Sequence, residues 1–183
     1  MTIEISSELR ARAEKIKLVI FDVDGVLTDG RLFFGDDGQE YKAFHSRDGL
    51  GMKMLMRSGV EVAVITARSS NVVAHRMKNL GIRHFYQGQS DKVPAFLGIA
   101  DEMSLEHDAI AYVGDDIIDL PVMSRVGLAI AVADAHPEVC SRSHWVTRQQ
   151  GGHGAARDAC ELIMEAQGSL QPMIEGQVAG TSN

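Results

Sequence analysis

Short apolar runs alternate with amphipathic stretches along almost the whole chain, and that alternation limits the fold more than any other feature. The runs lie at about 17–22, 61–66, 84–86, 109–113, 127–131 and 144–146. Helical patterns fall between them near 48–58, 70–80, 91–103, 117–125, 136–140 and 154–167, after an opening capped helix in SSELRARAEKI. A strand covered on both faces reads as a continuous apolar run. The spacing therefore predicts an α/β fold: a Rossmann-like, doubly wound parallel sheet with helices on both sides. Pro94 suits the first turn of its helix, with Ser90 or Asp91 as cap.

One stretch breaks the rhythm. RLFFGDDGQEYKAFH, residues 31–45, sets Gly-Asp-Asp-Gly between aromatic-rich arms and reads as a β-hairpin insertion. A lone hairpin is marginal in water, so its apolar side (Phe33, Phe34, Tyr41, Phe44) is expected against the body or another subunit. From Gly168 onward the sequence loses periodicity, which predicts a disordered tail over 168–183 and one domain over 1–167.

Charge and composition exclude several roles. A net charge of −7 argues against nucleic acid or an anionic membrane as partner. No apolar run is long enough to span a bilayer, and the N-terminus lacks the apolar centre of a secretory signal. Cys140 and Cys160, without CxxC spacing, read as reduced thiols in a cytoplasmic chain. His75, His107, His136, His144 and His153 show no metal-ligand spacing, and Met52, Met54, Met56 and Trp145 read as core or interface filler.

In an open α/β sheet, ligands bind beyond the carboxyl ends of the strands. The first such end, VIFDVDGVLTDG, supplies Asp22 and Asp24; the second, VEVAVITAR, supplies Thr66 with Arg68 close behind. Lys92 opens the helix after the third, and AIAYVGDDIIDLPVM delivers Asp115, Asp116 and Asp119. Taken singly, each has an ordinary reading: an Asx turn, a β-former, a solvated lysine, an acidic helix start. Together they gather carboxylates, a hydroxyl and a lysine at one sheet edge. Carboxylates so gathered repel unless a cation lies between them, and an oxygen-only set suits a hard ion such as Mg²⁺. One aspartate is then placed to attack phosphorus while Thr66 and Lys92 hold the equatorial oxygens. The other protonates the leaving group and later activates water.

DVDGVLTDG, Thr66, Lys92 and GDDIID resemble the four ordered motifs of the haloacid dehalogenase superfamily of phosphohydrolases, over about residues 15–167. The resemblance implies Asp22 as nucleophile and Asp24 as general acid/base. It implies Asp22, the backbone carbonyl of Asp24 and Asp115 as Mg²⁺ ligands, with Asp116 and Asp119 as supporting carboxylates. The gaps between motifs hold a hairpin, two helices and a strand, leaving no room for a cap domain.

FHSRDGLGMKML, GDDIIDLPVM and QQGGHGAARD are similar to one branch of that family, the 3-deoxy-D-manno-octulosonate 8-phosphate phosphatases of lipopolysaccharide precursor synthesis. This implies a phosphorylated sugar acid as small-molecule substrate and a capless homotetramer. It also implies hairpins gathered into a central barrel and Gly151–Gly152 reaching over a neighbour's site; the bland alternative for those glycines is a flexible linker. His45, Ser46, Arg47, Asp48 and Gly49 match the segment lining the sugar, and Asp24, Arg68, Arg76 and Lys92 match positions facing the substrate. Ala67 and Lys53 depart from the pattern, where glycine and arginine are common. The motifs leave open a nine-carbon sialic-type substrate and, outside enzymes, a phospho-accepting receiver-type switch. Asp24 two residues after Asp22 favours turnover over storage.

Overall fold

The structure, a computed structural model, describes residues 5–180. Residues 1–4 of the opening stretch and 181–183 of the expected tail lie outside the described residues.

After helix α1 (Ser7–Ala13) come β1 (Leu18–Phe21), the hairpin strands β2 (Phe33–Phe34) and β3 (Glu40–Tyr41), α2 (Ser46–Arg57) and β4 (Glu61–Ile65). Then follow α3 (Asn71–Leu80), β5 (His84–Tyr86), α4 (Val93–Glu102), β6 (Ile110–Gly114), a 3₁₀ turn (Ile117–Asp119) and α5 (Leu120–Met123). The chain continues through β7 (Leu128–Ala131), α6 (Pro137–Arg142), β8 (Trp145–Val146), α7 (Ala155–Ala166) and α8 (Leu170–Val178). Six strands form one parallel sheet in the order β5-β4-β1-β6-β7-β8. The chain moves outward from β1 to one edge, then returns to β6 and moves to the other. This puts the topological switch beside β1 and β6, where a ligand crevice is expected.

The strand alternation divides the core in two. Val19 and Phe21 join the cluster under α1, α2, α3 and α7, while Leu18 and Ile20 join the one under α4, α5 and α6. The same parity carries Asp22 to the second face, toward α4 and the turn before α5. No helix among the described residues is long and apolar enough to cross a membrane.

The hairpin forms as expected, with Phe33 opposite Tyr41 and Phe34 opposite Glu40. Phe44 packs on the core, but Phe33, Phe34 and Tyr41 stay exposed at 51%, 59% and 56%. The expected disordered tail needs correction. After Gly168 (φ +70°) the chain resumes as α8, anchored by Leu170 and Met173 against the core. Two apolar anchors are too few to show as sequence periodicity.

Candidate active site

Asp22 leaves β1 almost fully enclosed, 6% exposed. Its Oδ1 accepts from the Val23 N–H at 2.6 Å and its Oδ2 lies 2.9 Å from the Lys92 ammonium. Lys92 sits at the N-cap of α4 and is 2% exposed. An ammonium has three donors, and Lys92 has three acceptors: Asp22, Asp119 Oδ1 at 2.7 Å and the Tyr112 hydroxyl at 3.2 Å.

Asp119 is the hub of the cluster. Its Oδ1 also accepts from the Tyr112 O–H at 2.7 Å, and its Oδ2 accepts from the N–H groups of Asp115 (3.0 Å) and Asp116 (3.2 Å). It is fully buried and its oxygens are committed to holding others. Asp116 caps the same turn through the Ile117 N–H and is exposed. Asp115 differs: its Oδ1 is buried with no hydrogen-bond partner. Gly25 (φ +90°) closes over this carboxylate, where a Cβ would fall 2.0 Å from Asp115 Oδ2. Only glycine fits that approach.

The electrostatics follow from this crowding. Burial and the nearby Asp119 push Asp22 up to about 7, against the pull of Lys92. Burial, then Asp22, Asp119 and Asp116, push Asp115 up to about 8. Lys92 is raised, its two carboxylate neighbours outweighing its burial. Oxygens of Asp22, Asp115 and Asp119 lie within 4.8 Å of one another. One lysine and an orphaned, buried carboxylate oxygen leave this acidic set short of positive charge, and all-oxygen donors suit a hard divalent cation. The residues present fit Mg²⁺.

Thr66 follows β4, is 2% exposed, and is fixed by its N–H to the Tyr86 carbonyl at 2.9 Å. Asp24 lies beyond the buried hub. Its Oδ1 pairs with Lys42, from just after β3, and its Oδ2 lies 3.8 Å from Arg68. Glu40 completes the group, 3.3 Å from Lys42 and 3.2 Å from Arg68. The ring of Phe34 lies under the Arg68 guanidinium, 6.0 Å away.

The segment expected to line the sugar divides. His45 caps α2, its Nδ1 accepting from the Arg47 N–H, while Ser46 and Arg47 are exposed. Asp48, Gly49 and Arg76 make contacts within the chain. Asp48 is 2% exposed and its Oδ1 accepts from the Arg157 N–H at 2.8 Å, in the first turn of α7. Arg76 lies over the Phe44 ring at 5.7 Å and packs against the Gly49 backbone. The bland alternative for Gly151–Gly152, a flexible linker, does not hold. A Cβ at Gly151 would fall 1.7 Å from the Gly25 carbonyl oxygen, and the Gly152 N–H donates to Val26 O at 2.9 Å. The pair is wedged under the loop that carries Asp24.

Sequence reasoning missed Tyr112 and Lys42. Tyr112 stands in a strand interior and reads as apolar filler; only its parity with Ile20 and Asp22 marks its face. Lys42 had one weak signal, a lysine among the apolar positions of the hairpin.

Residues 84–157 match the family described as haloacid dehalogenase-like hydrolase. The chain is 49% identical over 166 residues to the 3-deoxy-D-manno-octulosonate 8-phosphate phosphatase KdsC of Escherichia coli K12, covering 91% of this chain and 88% of that one. Among solved structures, the Yersinia pestis 3-deoxy-D-manno-octulosonate 8-phosphate phosphatase superposes with a TM-score of 0.90 at 46% identity, covering 91% of this chain and 90% of that chain. The Moraxella catarrhalis enzyme of the same name, in complex with a magnesium ion, a phosphate ion and a KDO molecule, gives 0.92 at 40% identity, covering 94% and 99%.

Proposed function

The chain belongs to the haloacid dehalogenase-like hydrolases, and from that premise we propose that it is a Mg²⁺-dependent phosphomonoesterase releasing phosphate from 3-deoxy-D-manno-octulosonate 8-phosphate. Asp22 is the nucleophile. Val23 and Lys92 fix its carboxylate from both oxygens, so it meets phosphorus in one orientation. Lys92 and Thr66 steady the equatorial oxygens of the transferring phosphoryl group. Asp119 acts through others, orienting Lys92 and, by its hold on the Asp115 N–H, the turn that presents the Asp115 carboxylate. Asp22, the Asp24 carbonyl and Asp115 would hold Mg²⁺, which when bound neutralises charge on the phosphoryl oxygens.

Asp24 donates a proton to the leaving sugar oxygen, then takes one from the water that opens the aspartyl-phosphate. It lies between the buried hub and solvent, 20% exposed, which suits a group that must exchange protons. Arg68, with its planar fork and a side chain 43% exposed, is available to a sugar-acid carboxylate. The similarity to eight-carbon sugar-acid phosphatases along nearly the whole chain supports that substrate over a nine-carbon one. On this reading the enzyme is cytoplasmic and serves lipopolysaccharide precursor synthesis.

We further propose a homotetramer built through the hairpins. Leu32, Phe33, Phe34 and Tyr41 expose a patch that a two-stranded ribbon cannot bury itself. Light scattering should give four chains, and Phe33→Ser with Phe34→Ser should dissociate them.

The observation that carries the phosphatase reading is the meeting of Asp22, Lys92, Asp119 and Asp115 from separate strand ends. A phosphate-release panel over phosphorylated sugars tests it. Turnover should need Mg²⁺, stop with chelator, and favour the eight-carbon over the nine-carbon sugar acid. Equal turnover without metal, or a stable phosphoprotein that releases nothing, would refute it.

A further inference from the structure

Asp24 is not held by the core of the sheet but by the hairpin. Lys42 follows β3 directly, and its side chain is wholly enclosed, 0% exposed, between the carboxylates of Asp24 and Glu40. A lysine enclosed this way persists only where its partners compensate the lost hydration. Arg68 faces the same two carboxylates, but at 3.8 Å from Asp24 and with a side chain 43% exposed, so water competes for it. The four side chains close a ring of two cations and two anions, and Lys42 is its buried member.

Glu40 lies in β3, paired with Phe34, and Phe34 lies against Arg68. The contacts that dock this hairpin on the body are therefore largely the contacts that aim Asp24. Nothing in the chemistry of Asp22, Thr66, Lys92 or Asp115 uses Lys42, so its enclosure needs another reason.

We propose that Lys42 is a positioning residue for the acid/base carboxylate: the hairpin, through Lys42, fixes the direction in which Asp24 presents its proton to the leaving oxygen. Lys42 does not touch the phosphoryl group. Its loss is felt only in steps that use Asp24. Expelling a sugar alkoxide is such a step, because that oxygen must be protonated as it leaves. Expelling 4-nitrophenolate is not, since that anion is stable near neutral pH. A structural defect would slow both alike.

This inference rests on the phosphatase reading, and one experiment separates the two. First-turnover rates are measured by rapid quench for the sugar-acid phosphate and for 4-nitrophenyl phosphate, using wild type, Lys42→Gln and Lys42→Arg, with melting temperature and oligomer size recorded for each. In Lys42→Gln the first turnover of the sugar phosphate should fall about 10- to 100-fold, part of the usual general-acid contribution, while the first release of 4-nitrophenolate stays within about 3-fold. Lys42→Arg should recover part of the loss, and it carries the same comparison should the glutamine variant fail to fold. Equal losses on both esters, or none, would overturn the proposal. So would a rise in KM confined to the sugar acid with first turnover intact, which would make Lys42 a substrate contact. If wild type turns over neither ester, the phosphatase reading falls and this inference with it.

Discussion

Asp22 and Asp24 stand two residues apart, yet their surroundings are built on different plans. Asp22 belongs to the sheet: β1 carries it, α4 supplies Lys92, and Asp119 with Tyr112 fixes Lys92 beneath the surface. Asp24 belongs to the hairpin, held at the edge of solvent by Lys42 and Arg68, which Glu40 pairs in turn. The nucleophile proposed at Asp22 needs one fixed line of approach, which the close-packed interior provides. The acid/base proposed for Asp24 must pass protons between substrate and water, and a partly exposed carboxylate in a charged ring allows that.

The largest expected effect tests whether the two roles are distinct. Asp22→Asn should abolish turnover of every phosphomonoester, by about a thousandfold or more, with the chain still folded, since Asp119 and Tyr112 keep hold of Lys92. Asp24→Asn should cost about 10²- to 10⁴-fold on the sugar phosphate and leave a first release of 4-nitrophenolate. If Asp24→Asn instead removed that first release as completely as Asp22→Asn, the division of labour would fail.

Stability should divide along the same line. Asp119→Ala takes one of two carboxylates from Lys92 and leaves the Tyr112 O–H and two backbone N–H groups without their acceptor inside the protein. Breaking a buried ion pair costs about 3–5 kcal/mol, or about 10 °C for a chain of this size. Asp24→Ala takes one of two carboxylates from the enclosed Lys42 but leaves it Glu40, and should therefore cost less than Asp119→Ala. Calorimetry on the two variants measures the contrast, and a larger drop for Asp24→Ala would reverse it.

The same contrast explains what could be read without coordinates. Asp22, Thr66, Lys92, Asp115 and Asp119 were legible because strand parity and strand-end position follow from local sequence. Lys42 was not, because where a hairpin lies over a sheet depends on contacts between distant segments. Tyr112 hid in plain strand pattern; its hydroxyl matters only because Asp119 and Lys92 arrive from elsewhere. The contact of Asp48 with α7 was hidden for a related reason. Its neighbours His45 and Arg47 suggest a polar loop, but the packing of α2 on α7 turns Asp48 inward to the Arg157 N–H.

Proton linkage gives the next test, smaller than the loss of Asp119. Asp22 titrates near 7 and Asp115 near 8 in the folded, metal-free chain, against an ordinary 3.8. The folded state therefore keeps protons that the unfolded chain has released. Their contribution to stability is full below about 3.8 and is lost as pH rises through 7 and 8. In chelator the melting temperature should fall between pH 5 and 8.5 by several degrees; with Mg²⁺ the fall should flatten, and Asp115→Asn should flatten it without metal. A melting temperature that rose over that range in chelator would contradict the crowding of these acids.

The smallest effect probes how much of the buried hub is redundant. Tyr112→Phe deletes one hydroxyl from a fully buried ring, leaving Lys92 its two carboxylates and Asp119 its lysine and backbone donors. The loss of the two buried hydrogen bonds of that hydroxyl, one donated to Asp119 and one accepted from Lys92, should together cost about 1–2 kcal/mol, read as a melting point lower by about 3–6 °C. Turnover should drop only a few-fold, because Asp22 and Asp119 still hold Lys92 from two sides. Burial and the nearby Asp119 and Asp22 raise the tyrosine well above its usual range, so its O–H remains a donor throughout the working pH. The difference between the variant and wild type should therefore be flat from pH 6 to 9. A difference that grew toward high pH would mean that the hydroxyl is losing its proton in this site. The buried hub would then be as adjustable as the hairpin ring, and the contrast between the two aspartates would no longer hold.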